Sequence, residues 1–155
     1  MQPSQVLFQG EALPRALPVC DHYAGTEVRM RKALSLQTQL GPVFDITFDC
    51  EDGAPVGKEA EHAQLVVDIL LSPENQFNRV GVRIHDPSHS CWKSDVATLV
   101  GKAGQKIAFV MIPKVESAGQ TQTVIDEINR VAKAAGINRE IPVQALIETH
   151  GALHD

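Results

Sequence analysis

Residues 43–53, Val-Phe-Asp-Ile-Thr-Phe-Asp-Cys-Glu-Asp-Gly, constrain the chain most, because they read as a strand with one acidic side. In an extended chain alternate side chains face opposite ways, so Phe44, Ile46 and Phe48 share one face while Asp45, Thr47 and Asp49 share the other. The first face belongs to a core. Glu51 and Asp52 follow in a loop closed by Gly53 and Pro55, which gathers acids at the C-terminal end of the strand. An edge strand of an antiparallel sheet turned towards water gives the same alternation, so the flanking sequence has to decide.

Those flanks repeat strand and helix. Residues 1–15 hold two prolines and no periodicity and read as a flexible leader. Residues 16–20 read as a short strand, 21–25 as a loop, and about 26–40 as a helix with Val28, Ala33 and Leu34 on its apolar side and Gly41-Pro42 as its stop. After the acidic strand comes a helix over 58–71, carrying Ala63, Val66, Val67, Leu70 and Leu71. A strand over 79–85 places Val80, Val82 and Ile84 on one side and Gly81, Arg83 and His85 on the other. A helix near 92–102, a strand over 106–112 that is apolar on both faces, a helix over about 118–135 and a strand over 141–147 complete the series, and residues 148–151 open what reads as a further helix.

Five strands alternating with helices require parallel pairing through right-handed crossovers. Two architectures fit: a five-stranded doubly wound parallel sheet, or about the first five βα units of a TIM (β/α)8 barrel, which needs ~250 residues in full. In the second case residues 16–155 are the N-terminal portion of one catalytic domain. The polar residues favour the barrel. Asp49, Glu51 and Asp52 follow the second strand, Arg83 ends the third, Lys114 and Glu116 follow the fourth, and Glu148 ends the fifth. A barrel collects groups from many successive strands into one mouth, whereas a doubly wound sheet concentrates its site at a switch point.

Composition narrows the partners. The chain of 155 residues carries a net charge of −5, which argues against a nucleic-acid backbone or an anionic membrane as partner. No apolar run approaches the ~20 residues of a spanning helix. Three cysteines without C-x-x-C spacing suit a reducing cytoplasm better than a disulfide scaffold.

Asp45, the segment 48–53 (Phe-Asp-Cys-Glu-Asp-Gly), 82–84 (Val-Arg-Ile), 112–117 (Ile-Pro-Lys-Val-Glu-Ser) and 146–149 (Leu-Ile-Glu-Thr) occur in order. Together they resemble the citrate lyase beta-subunit-like CoA-ester lyases of the HpcH/HpaI aldolase superfamily. The resemblance implies a TIM barrel, a magnesium ion with manganese as the alternative, and cleavage or formation of a carboxylated 3-hydroxyacyl-CoA thioester to give an acyl-CoA and a keto acid. It implies Glu148 as a direct metal ligand and Asp52, with Glu51, acting through metal-bound water. Asp49, Glu51, Asp52 and Arg83 are the catalytic candidates, with Arg83 gripping a keto-acid carboxylate or steadying the enolate oxygen. The same residues also allow a plain salt bridge between Arg83 and the acids of the second strand. Lys32, with Arg29 one turn earlier, would meet the CoA phosphates. Lys114 and Glu116 match a Pro-Lys-x-Glu segment and are taken as an internal pair organising the mouth.

Two departures matter. His85 stands where relatives often carry Asn, and with His89 it offers only two histidines of a zinc set. His22, His150 and His154 fall in or near loops. Members of the group supply a second metal-binding Asp from a later strand, some way beyond Glu148, so that ligand is expected beyond residue 155 and the chain alone is expected to be inactive. A homo-oligomer is expected, since relatives often form trimers or hexamers. An aldolase acting on free hydroxy-keto acids and a noncatalytic small-molecule-binding module are the alternatives.

Overall fold

The structure, a computed structural model, describes residue 18 and residues 20–154. The leader expected over 1–15 lies outside the described residues. Five strands, β1 (Asp21–Ala24), β2 (Asp45–Asp49), β3 (Val80–Arg83), β4 (Ile107–Ile112) and β5 (Val143–Ala145), alternate with helices α1 (Glu27–Leu40), α2 (Glu59–Leu71), α3 (Trp92–Ala103), α4 (Ala118–Ala134) and α5 (His150–His154). Every neighbouring pair of strands is parallel, and the order across the sheet is β1-β2-β3-β4-β5.

That order separates the two architectures. A doubly wound sheet must reverse direction at a switch point, which places strands out of sequence. Here the order never reverses, so right-handed crossovers set successive helices on the same face, and α2 packs on α3 and α3 on α4. The sheet is a singly wound α/β arc with helices outside, as in the barrel reading; the doubly wound alternative is excluded.

The core lies between sheet and helices. Ile46, Phe48, Val80, Val82, Ile84, Val110 and Ile112 leave the strands on the helix side and are wholly buried, meeting Leu34, Val66, Leu70, Leu99 and Ile128. On the other face Phe109 lies across β3, where a Cβ on Gly81 would come within 2.2 Å of the Phe109 ring. Only glycine leaves room for that ring, and it fills the lumen side that side chains pack in a barrel.

Two local expectations need correction. The strand at the start of the sheet is Asp21–Ala24, on residues that read as a loop, while the strand expected over 16–20 lies largely outside the described residues. Its polar residues are held by pairing rather than by apolar burial: Asp21 pairs with Asp45 and Tyr23 with Thr47, and the Thr47 hydroxyl donates to Asp21 Oδ2 at 2.7 Å. In α1 the buried stripe is Met30, Ala33, Leu34 and Gln37, so Val28 is left 80% exposed. The i, i+3, i+4, i+7 pattern starts from Met30, which turns Val28 to the far side.

Candidate active site at the C-terminal ends of the strands

Asp49 ends β2 on its lumen side and is 2% exposed. Its Oδ1 accepts from Arg83 Nε (2.8 Å) and the Glu51 amide (2.9 Å), and its Oδ2 accepts from Arg83 Nη2 (2.6 Å) and the Gly53 amide (2.8 Å). Asp49 and Arg83 are register partners across β2 and β3, so the sheet itself sets this two-pronged pair. Burial pushes the Asp49 carboxyl up, but the Arg83 guanidinium and the two amides outweigh it and hold the group below its usual range. Gly53 is needed for close approach, since a Cβ there would stand 2.4 Å from Asp49 Oδ2.

The rest of Arg83 faces the mouth. Its Cζ lies 5.2 Å from the centre of the Tyr23 ring, and Tyr23 Oη donates to Met111 Sδ at 2.9 Å. Nη1 reaches to 3.2 Å from Glu51 Oε2, and Lys114 Nζ comes to 2.5 Å from Glu51 Oε1. These are ion-pair contacts without hydrogen-bond alignment, and both Glu51 oxygens are buried with no hydrogen-bond partner. Lys114 also binds Asp52 at 3.1 Å, and its backbone N–H donates to Glu148 Oε1 at 2.8 Å. Its backbone has φ of 48°, a left-handed conformation that a non-glycine residue holds only when its surroundings fix it. That bend lets one residue bond the loops after β2 and β5 together. The close carboxylates of Glu51 and Asp52 raise the Lys114 ammonium well above its ordinary range.

Asp49, Glu51, Asp52, Arg83, Lys114 and Glu148 therefore form one connected set from four strand ends. Glu116 does not join it. Its side chain is exposed and lies against the start of α5, within 2.2 Å of where a Gly151 Cβ would stand, so the expected Lys114–Glu116 pair is replaced by Lys114 with Glu51 and Asp52. The left-handed turn at Lys114 sends its side chain towards β2 and away from Glu116. The salt bridge between Arg83 and the acids of the second strand is present: Asp49 takes the Nε–Nη2 edge of the guanidinium, and Nη1 lies beside Glu51. Arg29 and Lys32 are exposed on the first turns of α1, and none of the mouth's hydrogen bonds or ion pairs involves them.

His62 and Tyr23 were missed by sequence reasoning. His62, 5% exposed on α2, donates from Nε2 to the Asp49 carbonyl at 2.9 Å and supports the end of β2 from outside. In sequence it is one of several polar residues of that helix, and only its place on the buried stripe with Ala63 and Val66 marks it. Tyr23 fell in the segment read as a loop.

Among the described residues, no group of three or more His, Cys, Asp or Glu side chains is placed to hold a metal ion by itself. The connected set nevertheless suits a hard cation. Its four carboxylates face only two cationic side chains, and the Glu51 oxygens are buried without hydrogen bonds. A cavity of about 730 Å³ lies at the opposite, N-terminal end of the strands beside Asp45, Arg79 and Arg139. It carries none of this set; a smaller one of about 330 Å³ is lined by Glu51, Asp52, His85, Asp86, His89 and Lys114.

Among solved structures, a citrate lyase from Burkholderia xenovorans LB400 is 50% identical and superposes with a TM-score of 0.86 over 89% of this chain and 43% of that one. The CitE protein of Mycobacterium tuberculosis in complex with magnesium and pyruvate is 23% identical, with a TM-score of 0.57 over 88% of this chain and 46% of that one, and shares the fold. An L-malyl-CoA/beta-methylmalyl-CoA lyase of Cereibacter sphaeroides is 24% identical over 104 residues, 67% of this chain and 33% of that protein. The chain thus spans about a third of that lyase and less than half of the solved relatives. Residues 38–155, which contain every member of the connected set, match the HpcH/HpaI aldolase/citrate lyase family, and the chain belongs to that family.

Proposed function

We propose that the protein to which this chain belongs is a magnesium-dependent carbon–carbon lyase acting on a carboxylated 3-hydroxyacyl-CoA thioester, releasing an acyl-CoA and a keto acid. The observation that carries this reading is the joining of Asp52 and Glu148 through Lys114, beside an Arg83 fixed by Asp49. Breaking the carbon–carbon bond leaves negative charge on the thioester oxygen, so the mouth must hold charge there while the hydroxyl loses its proton.

The residues divide the work. Arg83 turns Nη1 towards the mouth, suited to one hydrogen bond to a developing oxyanion, and Asp49 fixes its plane. Glu148 would hold magnesium directly, and Asp52 and Glu51 through bound water, since magnesium takes few protein carboxylates and keeps several waters. When bound, the ion polarises the keto-acid oxygens. A second carboxylate ligand is proposed to come from a strand outside residues 1–155, so the chain alone is expected to be inactive. Arg29 and Lys32 would meet the CoA phosphates from α1. A cytoplasmic homo-oligomer completes the reading, and among the described residues no helix is long and apolar enough to cross a membrane.

The test is cleavage of malyl-, citramalyl- and citryl-CoA by the full-length protein, with and without EDTA. Turnover that magnesium restores supports the reading; no turnover on any of the three sinks it. Because none of the mouth's hydrogen bonds or ion pairs involves Arg29 or Lys32, an aldolase acting on free hydroxy-keto acids is the second reading. Competitive inhibition by free CoA favours the thioester, and cleavage indifferent to CoA favours the free acid.

A further inference from the structure

The lyase reading requires a group that takes a proton from the substrate hydroxyl and returns one to carbon. Three members of the connected set are poorly suited to both halves of that task. Asp49 is held below its usual range by Arg83 and two amides, which makes it a weak base. Lys114 is held protonated by its acids. Arginine does not deprotonate in proteins.

One residue lining the 330 Å³ cavity is built differently. His85, 8% exposed just beyond β3, sets Nδ1 2.6 Å from Asp95 Oδ2. The same oxygen accepts the His85 backbone N–H at 2.9 Å, and with Asp95 ionised it can only accept from the ring as well, so the proton of the pair sits on Nδ1. Asp95 is 2% exposed in the first turn of α3 and fixed on an element that packs against α2 and α4. The His89 ring stacks on His85 with centroids 4.3 Å apart and planes 15° from parallel, which holds the imidazole flat. With Nδ1 engaged, Nε2 is the nitrogen left for the cavity.

We propose that His85, oriented by Asp95, is the proton-transfer residue of this mouth. Nε2 takes the hydroxyl proton as the bond between the carbinol carbon and the carbon next to the thioester breaks. The electron pair of that bond moves to the thioester fragment as its enolate, and the carbinol leaves as the keto group. The imidazolium then returns the proton to the enolate carbon, so His85 ends as it began. A carboxylate–imidazole pair suits this because histidine is the side chain whose charge changes between about pH 5 and 8. The charged groups around it are Asp95 from α3, Glu59 from α2, and Asp86 and His89 from its own loop. Glu51 and Asp52 face it from the loop after β2, and Lys114 from the loop after β4.

The inference rests on the lyase reading, and the experiment separates the two. Thioester cleavage by the full-length protein is followed across pH for the wild type, His85→Asn, His85→Ala and Asp95→Asn, with magnesium saturating. We expect His85→Asn to lower kcat about 100-fold with KM little changed and to lose the acid limb of the pH profile. Imidazole added to His85→Ala should restore part of the rate, which a purely structural role would not allow. Asp95→Asn should lower kcat and displace the acid limb, as expected of a positioning residue. Thermal unfolding of each variant shows whether it remains folded. If the wild type turns over and neither histidine variant alters the pH profile or responds to imidazole, the inference falls and the lyase reading stands. If the wild type does not turn over, both fall.

Discussion

The chain carries the same ion pair twice. Asp45 with Arg79 and Asp49 with Arg83 join β2 to β3 with the same separation of 34 residues, one near the N-terminal end of the strands and one at the C-terminal end. At the first, Arg79 donates to Asp45 and to the Pro42 carbonyl, and its side chain is 33% exposed. At the second, the Arg83 side chain is 12% exposed and meets Asp49, Glu51 and the Tyr23 ring. The two ends differ in what surrounds the pair. The loop after β2 brings Glu51 and Asp52, and the turn after β4 brings Lys114. A closed pair becomes a site only when its neighbours leave charge over, and the βα loops do this at one end only.

Breaking the buried pair should have the larger effect. Arg83→Ala leaves Asp49 and Glu51 buried without their guanidinium, and loss of one partner of a buried pair costs about 3–5 kcal/mol. Arg79→Ala at the half-open end should cost about 1 kcal/mol. Urea unfolding measures both, and equal costs would mean that the burial contrast has no energetic meaning. Gly53→Ala comes next. Its new methyl would push on Oδ2 of an Asp49 carboxylate fixed by four hydrogen bonds, two of them to that oxygen, and such overpacking costs about 1–3 kcal/mol.

Acid sharpens the same comparison. Because the Asp49 carboxyl is held below its ordinary value of 3.8, its contribution to stability is present above about pH 3.8 and is lost as pH falls through its folded value. Asp21 and Asp95, pushed up by burial, act in the opposite sense, since protonation relieves them. The measurable quantity is therefore the difference between wild type and Asp49→Asn. The wild type's advantage at neutral pH should shrink below about pH 4, and an advantage unchanged down to pH 2 would contradict the pairing.

How much of this was legible follows from where each residue gets its instructions. The acidic side of β2, Arg83 and Glu148 could be read because strand alternation and position at a strand end are local properties. The order of the strands was not local, and periodicity left two architectures open until pairing decided. β1 was unreadable because Asp21, His22 and Tyr23 look like a turn; they are a strand because β2 offers them a partner. Lys114 misled for a related reason. Its adjacency to Glu116 in sequence suggested a pair, but a left-handed backbone turned it to Glu51 and Asp52, and no local propensity encodes that turn at a lysine.

The smallest expected effect on the fold is at Glu148, and it separates stability from function most cleanly. Glu148 is exposed, and it is held in the mouth by the hydrogen bond from the Lys114 amide to Oε1. Glutamine keeps a carbonyl oxygen able to accept that bond, so Glu148→Gln should change unfolding free energy by less than about 0.5 kcal/mol. It removes the charge that a hard cation needs, so calorimetric magnesium titration of the full-length protein should show affinity reduced by about tenfold or more. Arg79→Ala should do the reverse, lowering stability and leaving magnesium affinity unchanged. If Glu148→Gln binds magnesium as the wild type does, the ion is held elsewhere and Glu148 serves only to fix the turn at Lys114.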